Sequence, residues 1–322
     1  MLNLNPLTAV PNQADLLLTH EAIQSFIHRT PLLTCASLDE MTGARLLFKC
    51  ENFQKIGAFK MRGAASAALR FSEEERACGL ATHSSGNHAQ AVALAARTLG
   101  VPAHIVMPHD APAVKIAAVA DYGASITYCN NTPAERQAAL DRVVARTGAA
   151  FIHPFDDYGV IAGQATAAME LIEDAPTVLD VILTPVGGGG LMAGTALAAR
   201  YFSIRAEAWG AEPRNVDDAA RSLASGRIET NAVNLTVADG LRTNLGDRTF
   251  AIIRKRVPRI LLVSEEEIIT AMRHIWERMK IIVEPSCAVP LAAVLRYREL
   301  FAGKTIGIIL TGGNVDVGKL PF

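Results

Sequence analysis

Four segments of the chain combine residue types that could perform chemistry. In ENFQKIGAFKMRGAA (51–65), Lys60 stands between Phe59 and Met61, after Gly57 and Ala58 and before Arg62 and Gly63. A lysine among small and apolar residues loses its proton more readily, because desolvation disfavours the ammonium, and the free amine is then a nucleophile able to form a Schiff base. A surface lysine that lays its stem along apolar neighbours is the competing reading. In THSSGNHAQAVALAA (82–96), Ser84, Ser85, Gly86, Asn87 and His88 follow an apolar run and precede a helical pattern. The exposed N–H groups of such a turn suit a carboxylate or a phosphate, with Asn87 or a serine capping the helix. A merely capped helix is the plainer account, but it explains Asn87 alone.

The other two segments are glycine-rich. TPVGGGGLMAGTALAAR (184–200) contains four consecutive glycines, Gly187 to Gly190. Ordering such a run is entropically unfavourable, which makes sense where backbone N–H groups must wrap a ligand closely. Strand, glycine loop and helix N-terminus together form a phosphate cup. No GK[ST] follows, so this is not a P-loop. Gly188-x-Gly190-x-x-Ala193 formally matches a dinucleotide fingerprint, with Glu207 and Glu212 downstream, but a run of four glycines satisfies short glycine patterns easily. A nicotinamide-binding oxidoreductase using it would leave Lys60, SSGNH and Thr311 without roles. In IGIILTGGNVD (306–316), Thr311 places a neutral hydroxyl at the end of an apolar run, before Gly312 and Gly313. An ordinary strand-to-turn Thr-Gly-Gly is the alternative there.

Loops so far apart in sequence need a frame that gathers them. The pattern predicts strands over 45–52, 79–84, 103–108, 125–129, 150–155, 178–186, 204–212, 259–264 and 305–311, alternating with helical stretches such as HAQAVALAARTLG and EEEIITAMRHIWERMK. This alternation implies an α/β fold of open, mainly parallel twisted sheets with helices on both faces, in which ligands bind where loops leave the carboxyl ends of strands. The 322 residues suggest about two domains at roughly 150 residues each. With no clear linker between them, the chain leaves one domain and returns to it later.

Composition narrows the function classes. Half the residues are hydrophobic and the formal charge is −1, from 31 Lys+Arg against 32 Asp+Glu, so there is no basic excess to attract nucleic acid. The five cysteines (Cys35, Cys50, Cys78, Cys129, Cys287) are far apart and form no CxxC pair, which predicts free thiols in a reducing, cytoplasmic setting. No Lys or Arg precedes Arg29 and the amino terminus has no continuous apolar core, unlike a signal peptide. Val181–Ala199 is a charge-free stretch long enough to span a membrane, but Pro185 and five glycines within it read better as strand, loop and helix.

The four segments hold the parts needed to bind pyridoxal 5′-phosphate, and the sequence resembles the fold-type II pyridoxal-phosphate enzymes, in the serine/threonine dehydratase and serine racemase branch that includes 3-hydroxyaspartate dehydratases. The resemblance runs from Arg29-Thr30-Pro31 to the end, through GAFKMRGA, SSGNHAQA, HPF with VIAGQAT, PVGGGG, AEP, VADGLR, VEPSCAVPLAA and LTGGNVD. It implies two open, mainly parallel sheets of the tryptophan synthase β type. A large cofactor-binding domain would comprise 1–68 and 157–322, and a small domain 69–156. It also implies a homodimer or homotetramer that acts on a small amino acid by α,β-elimination, with amino-acid racemisation as the alternative. The motifs reach residue 316, which implies that the regulatory carboxy-terminal domain of biosynthetic threonine dehydratases is absent.

By this resemblance Lys60 holds the cofactor and acts as base at Cα, and Phe59 lies near the ring. Gly187, Gly188, Gly189, Gly190 and Leu191 hold the phosphate, Asn87 bonds the ring hydroxyl and Thr311 faces the ring nitrogen. Ser84, Ser85, Asn87 and His88 form the substrate-carboxylate loop, with Ser85 as the proton donor opposite lysine in racemases. Arg136 corresponds to a position that approaches a second substrate carboxylate, although an ordinary exposed arginine accounts for it equally well. The VADGLR loop brings Asp239 close, without a defined role. AEPRNVDDA (211–219) resembles a divalent-cation site with Glu212, the Val216 carbonyl and Asp218 as ligands, a set suited to Mg²⁺, Mn²⁺ or Ca²⁺. A solvated acidic turn is the alternative.

Overall fold

Among the described residues the apolar runs form ten strands: β1 Leu32–Leu33, β2 Arg45–Cys50, β3 Leu80–His83, β4 Ala103–Pro108, β5 Ser125–Cys129, β6 Ala150–Phe151, β7 Val181–Pro185, β8 Glu207–Pro213, β9 Ile260–Val263 and β10 Thr305–Leu310. The protein is described by a computed structural model covering residues 4–111 and 113–322. Six strands form one sheet in the order β1-β2-β10-β7-β8-β9, and four form a second in the order β5-β4-β3-β6. Every pairing is parallel except the short edge contact of β1 with β2. The α/β expectation of two mainly parallel sheets is met. β10 reads TIGIIL and is buried from Ile306 onward, as a central parallel strand covered on both faces must be.

Strand order fixes where ligands can enter. In the large sheet the chain runs outward from β7 through β8 to β9, while β10 returns on the other side of β7. The loops after β7 and β10 therefore diverge, and the gap between them is a topological switch point. The small sheet repeats the device, with β4 and β5 on one side of β3 and β6 on the other. The glycine run, the Thr311 turn, the SSGNH turn and the HPF segment leave the strands at these two points. The apolar core under the small sheet includes Met61, Ala64, Ala65 and Ala68 of the helix Lys60–Ala68, so this helix, hereafter the lysine helix, packs between the two strand systems.

Three details depart from the sequence reading. The strand expected over 150–155 ends at Phe151, because His153 Nδ1 accepts the N–H groups of Phe155 and Asp156 (3.2 and 2.8 Å) and turns the chain. β1 was not anticipated, since two residues show no periodicity. Asn87 does not cap its helix. Gly86 holds the N-cap position without a side-chain bond, and Asn87 is the first helical residue. The charge-free Val181–Ala199 stretch divides into β7, the glycine loop and the helix Gly190–Phe202. Among the described residues no helix is long and apolar enough to cross a membrane.

Candidate active site

The segment before Lys60 is stitched to the end of β10. Phe59 N–H donates to the Thr311 carbonyl (3.0 Å) and Gly313 N–H to the Gly57 carbonyl (2.9 Å). Asn314 Nδ2 donates to the Ile56 carbonyl (2.7 Å). Ile56 is held at φ +63° and Gly57 at +69°. A left-handed conformation is a true outlier for a β-branched residue, and it persists because these contacts over-determine it. The result brings Lys60 beside Thr311, which lies far from it in the chain.

The resulting cavity of about 190 Å³ is lined by Phe59, Lys60, the Ser84–His88 turn, Arg136, the Gly187–Gly190 run, Leu191, Asp239 and Thr311. Apart from the three residues of the expected cation site, every residue expected to act thus lies on one cavity. Lys60 Nζ donates to the Pro154 carbonyl (2.8 Å) and sits 5.2 Å from the Phe59 ring centre. Its loss of water lowers the amine to about 8, against the opposing pull of the Glu284 carboxylate. A substantial neutral fraction near neutral pH is what a nucleophilic amine needs.

The glycine run is required by its surroundings. A Cβ on Gly188 would lie 2.3 Å from the Phe155 ring, and Gly189 has φ +84° with Leu245 Cδ2 2.7 Å from where its Cβ would be. The backbone is thus packed from behind while its other side faces the cavity. The helix Gly190–Phe202 starts there, with its first N–H groups lacking intrahelical partners. The Ser84–His88 turn offers a second such edge. Ser84 Oγ accepts from Gly86 N–H (3.2 Å), and Asn87 and His88 open the next helix. His88 Nε2 bonds the Ile152 carbonyl (3.2 Å), and burial drives its pKa well below the ordinary value. It therefore lines the cavity as a neutral ring.

Several contributors went unassigned in the sequence. Glu284 is buried, its Oε1 accepts from Asn87 Nδ2 (2.8 Å) and its Oε2 has no partner. Burial raises this carboxyl to about 7, opposed by Lys115. Asn87 Oδ1 in turn accepts from Asn314 Nδ2 (2.9 Å). Lys115, from the helix Ala113–Asp121, pairs with Asp239 at 2.6 Å and lies 3.5 Å from where a Gly86 Cβ would sit. Glu284 lay within VEPSC and could have been read as a polar residue in an apolar stretch; Lys115 carries no local signal. Arg136 donates to Asn131, while its Nε is buried without a partner. Of the fingerprint carboxylates, Glu207 accepts from Trp209 Nε1 (2.9 Å) and Glu212 from Ala219 and Ala220 N–H, so neither faces the glycine loop.

These residues fit pyridoxal 5′-phosphate. A poised amine, an anion cup in which Gly188 and Gly189 have no room for a Cβ, and a buried carboxyl with a free oxygen face one cavity. The expected cation set lies elsewhere, beyond β8. Glu212 is fully buried and its carboxyl is raised well above normal by burial and by Asp218, which is itself raised to about 6 by burial. Asp218 Oδ1 accepts from Asn231 Nδ2 (2.5 Å) and Oδ2 has no partner. Among the described residues no group of three His, Cys, Asp or Glu is assembled for a metal; this set offers two carboxylates and a backbone carbonyl.

Residues 23–312 match the family model described as pyridoxal-phosphate dependent enzyme. The chain is 45% identical to the beta-hydroxyaspartate dehydratase of Paracoccus denitrificans, over 97% of this chain and 99% of that one. It is 46% identical to the L-threo-3-hydroxyaspartate ammonia-lyase of Saccharomyces cerevisiae, over 96% and 95%. The crystal structure of serine racemase from Dictyostelium discoideum superposes with a TM-score of 0.91 at 45% identity, covering 96% of this chain and all of that one. The chain belongs to the pyridoxal-phosphate dependent enzymes, in the fold-type II group of dehydratases and serine racemases.

Proposed function

We propose that the protein is an ammonia-lyase that removes the β-hydroxyl and the amino group of a small β-hydroxy amino acid, with 3-hydroxyaspartate favoured over serine and threonine. Lys60 would hold the cofactor, Gly187–Gly190 and Leu191 its phosphate, Asn87 its ring hydroxyl, Thr311 its ring nitrogen and Phe59 its ring face. When bound, the cofactor supplies a conjugated ring that accepts the electron pair left at Cα. The Ser84–His88 turn receives the substrate's α-carboxylate on its N–H groups, and Lys60 Nζ takes the Cα proton. The Cα proton and the β-hydroxyl are together lost as one water, and addition of a water to the resulting enamine gives a 2-oxo acid and ammonia. Thr311 is a hydroxyl and cannot donate a full proton to the ring as an acid partner could, which favours elimination over transamination.

The observation that carries the substrate choice is Arg136, a cavity-wall guanidinium with one buried N–H unpaired. A second substrate carboxylate would satisfy it. The test is a panel of L- and D-serine, L-threonine and the threo and erythro isomers of 3-hydroxyaspartate, following 2-oxo acid release by wild type and Arg136→Met. A charge-assisted bond is worth about 1.5–3 kcal/mol, so Arg136→Met should raise KM for 3-hydroxyaspartate by roughly tenfold to a hundredfold and leave serine within about threefold. Equal effects on both substrates would refute the dicarboxylate assignment.

A second reading, serine-type racemisation, draws on Ser85, whose hydroxyl lines the same cavity and could protonate the face of Cα opposite Lys60. We also propose, under either reading, a divalent cation on Glu212, the Val216 carbonyl and Asp218, supported by the partnerless Asp218 oxygen. The division into 1–68 with 157–322 and 69–156 is supported by the sheets, whose strands fall on either side of those bounds. A homodimer or homotetramer in the cytoplasm belongs to the same proposal, and five free cysteines suit a reducing compartment.

A further inference from the structure

Arg62 stands two residues after Lys60 on the lysine helix and is wholly buried. All five of its N–H donors are used. Nε and Nη2 bond the two oxygens of Glu51 (2.7 and 2.8 Å), Nη2 and Nη1 bond the two oxygens of Glu170 (both 2.8 Å), and Nη1 also reaches Thr166 Oγ1 (3.1 Å). Glu51 begins the turn after β2, whereas Thr166 and Glu170 lie on the helix Tyr158–Asp174. Lys49 of β2 supplies a second buried cation, 2.7 Å from Glu170 and bonded to the Thr30 carbonyl. Lys49 also lies 3.5 Å from Asp174, and His20 Nε2 lies 3.2 Å from Glu170, so Arg62 and Lys49 share the cluster with three carboxylates and one imidazole.

A buried ion cluster adds little net stability compared with apolar packing; its best-attested use is to specify one arrangement. The surrounding contact needs such a device. Where the lysine helix meets the helix Tyr158–Asp174, Gly63 faces Val160 and Gln164, and Gly163 faces the Arg62 carbonyl and Ser66. Glycines let the backbones approach closely but offer no bulk to fix their register. The forked bonds of Arg62 to Glu170 and Thr166 resist sliding. Register matters here because the helix Tyr158–Asp174 begins just beyond the turn that presents the Pro154 carbonyl, the acceptor of Lys60 Nζ.

We propose that Arg62 is a positioning residue for the Lys60 amine, locking the lysine helix against Glu51 and Glu170 so that Nζ stays in its desolvated place beside Pro154. This rests on the assignment of Lys60 as the amine that takes up the cofactor. With its charge balanced by two carboxylates, Arg62 acts on Lys60 through geometry.

The test follows the rate at which full-length apoprotein takes up pyridoxal 5′-phosphate, read from the visible absorption of the product across a pH series, with the modified residue mapped by mass spectrometry. The wild-type rate should rise with pH and level off near the amine's ionisation at about 8. Arg62→Lys keeps a cation but cannot fork to two carboxylates. Its midpoint should move upward by about one unit as water reaches the amine, lowering uptake at neutral pH about tenfold. Thr166→Val removes a single acceptor and should shift the midpoint less but in the same direction, so the test stands even if Arg62→Lys fails to fold. Lys49→Met perturbs the same cluster without touching the lysine helix, and should lower the melting temperature while leaving the midpoint in place. An unchanged midpoint in the folded Arg62 or Thr166 variants, or an equal shift in Lys49→Met, would reduce Arg62 to a structural role and overturn the proposal. Wild type that takes up cofactor at a residue other than Lys60 would overturn the lysine assignment as well, which makes the two failures distinguishable.

Discussion

Neutralising either member of the Lys115–Asp239 pair should move the ionisation of Glu284 in opposite directions. The pair spans the cavity at 2.6 Å, with Lys115 8% and Asp239 38% exposed. Because Asp239 is open to solvent, the pair itself contributes no more than about 1 kcal/mol of stability. Its larger effect is on Glu284, which burial raises to about 7 while Lys115 pulls it down and Asp239 pushes it up. Lys115→Met removes the attraction and should raise that ionisation; Asp239→Asn removes the repulsion and should lower it. A neighbouring charge in such a site shifts a carboxyl by about one unit or more, equivalent to about 1.4 kcal/mol. The sign carries over to stability. Folded Glu284 keeps a proton that the unfolded chain releases from its ordinary value of 4.5, so its contribution is present below that value and is lost as pH rises toward about 7. The assay is melting temperature of the apoprotein against pH for wild type, Lys115→Met, Asp239→Asn and Glu284→Gln. The window of loss should extend upward in Lys115→Met, contract in Asp239→Asn and vanish in Glu284→Gln. Shifts of the same sign in the two charge variants, or a window that survives Glu284→Gln, would refute the reasoning.

Three further outcomes test the glycine loop and the two proposals made beside the main reading. Gly189→Ala forces a side chain into a left-handed residue at about 1–2 kcal/mol and against Leu245 and Ile253, so both the melting temperature and cofactor affinity should fall, as read by thermal denaturation and cofactor titration. If the proposed cation sits on Glu212, the Val216 carbonyl and Asp218, chelator should lower the melting temperature and millimolar-range Mg²⁺ or Ca²⁺ should restore it by mass action, with Asp218→Asn indifferent to both; a melting temperature unmoved by either would remove the site. On the racemase reading, Ser85→Ala should abolish racemisation of L-serine while L-substrate elimination stays within about an order of magnitude, roughly 1.4 kcal/mol, as measured by chiral chromatography alongside 2-oxo acid release.

The frame and the chemical loops were largely legible because each depended on local pattern. Apolar runs of strand length marked β2 to β10, and the glycine run marked a backbone with no room for side chains. What the sequence hid was long-range. Lys115 meets Asp239, 124 residues away, and Arg62 is held by Glu170, 108 residues away, pairings that no local spacing reveals. Asn87 looked like a helix cap because its type favours that position. Gly86 takes the cap, and the Asn87 amide is drawn to Glu284 and Asn314, contacts that exist only once both sheets are assembled. The HPF segment read as strand because its residues are apolar, yet the His153 ring nitrogen folds it into the turn that meets Lys60.

The most direct test of the central claim is borohydride reduction of the cofactor-loaded protein followed by peptide mapping. The account predicts loss of the visible absorption band and one modified residue, Lys60, with Lys60→Ala folded but unmodified and inactive. A protein modified elsewhere, or a Lys60→Ala variant with wild-type turnover and no added amine, would contradict it.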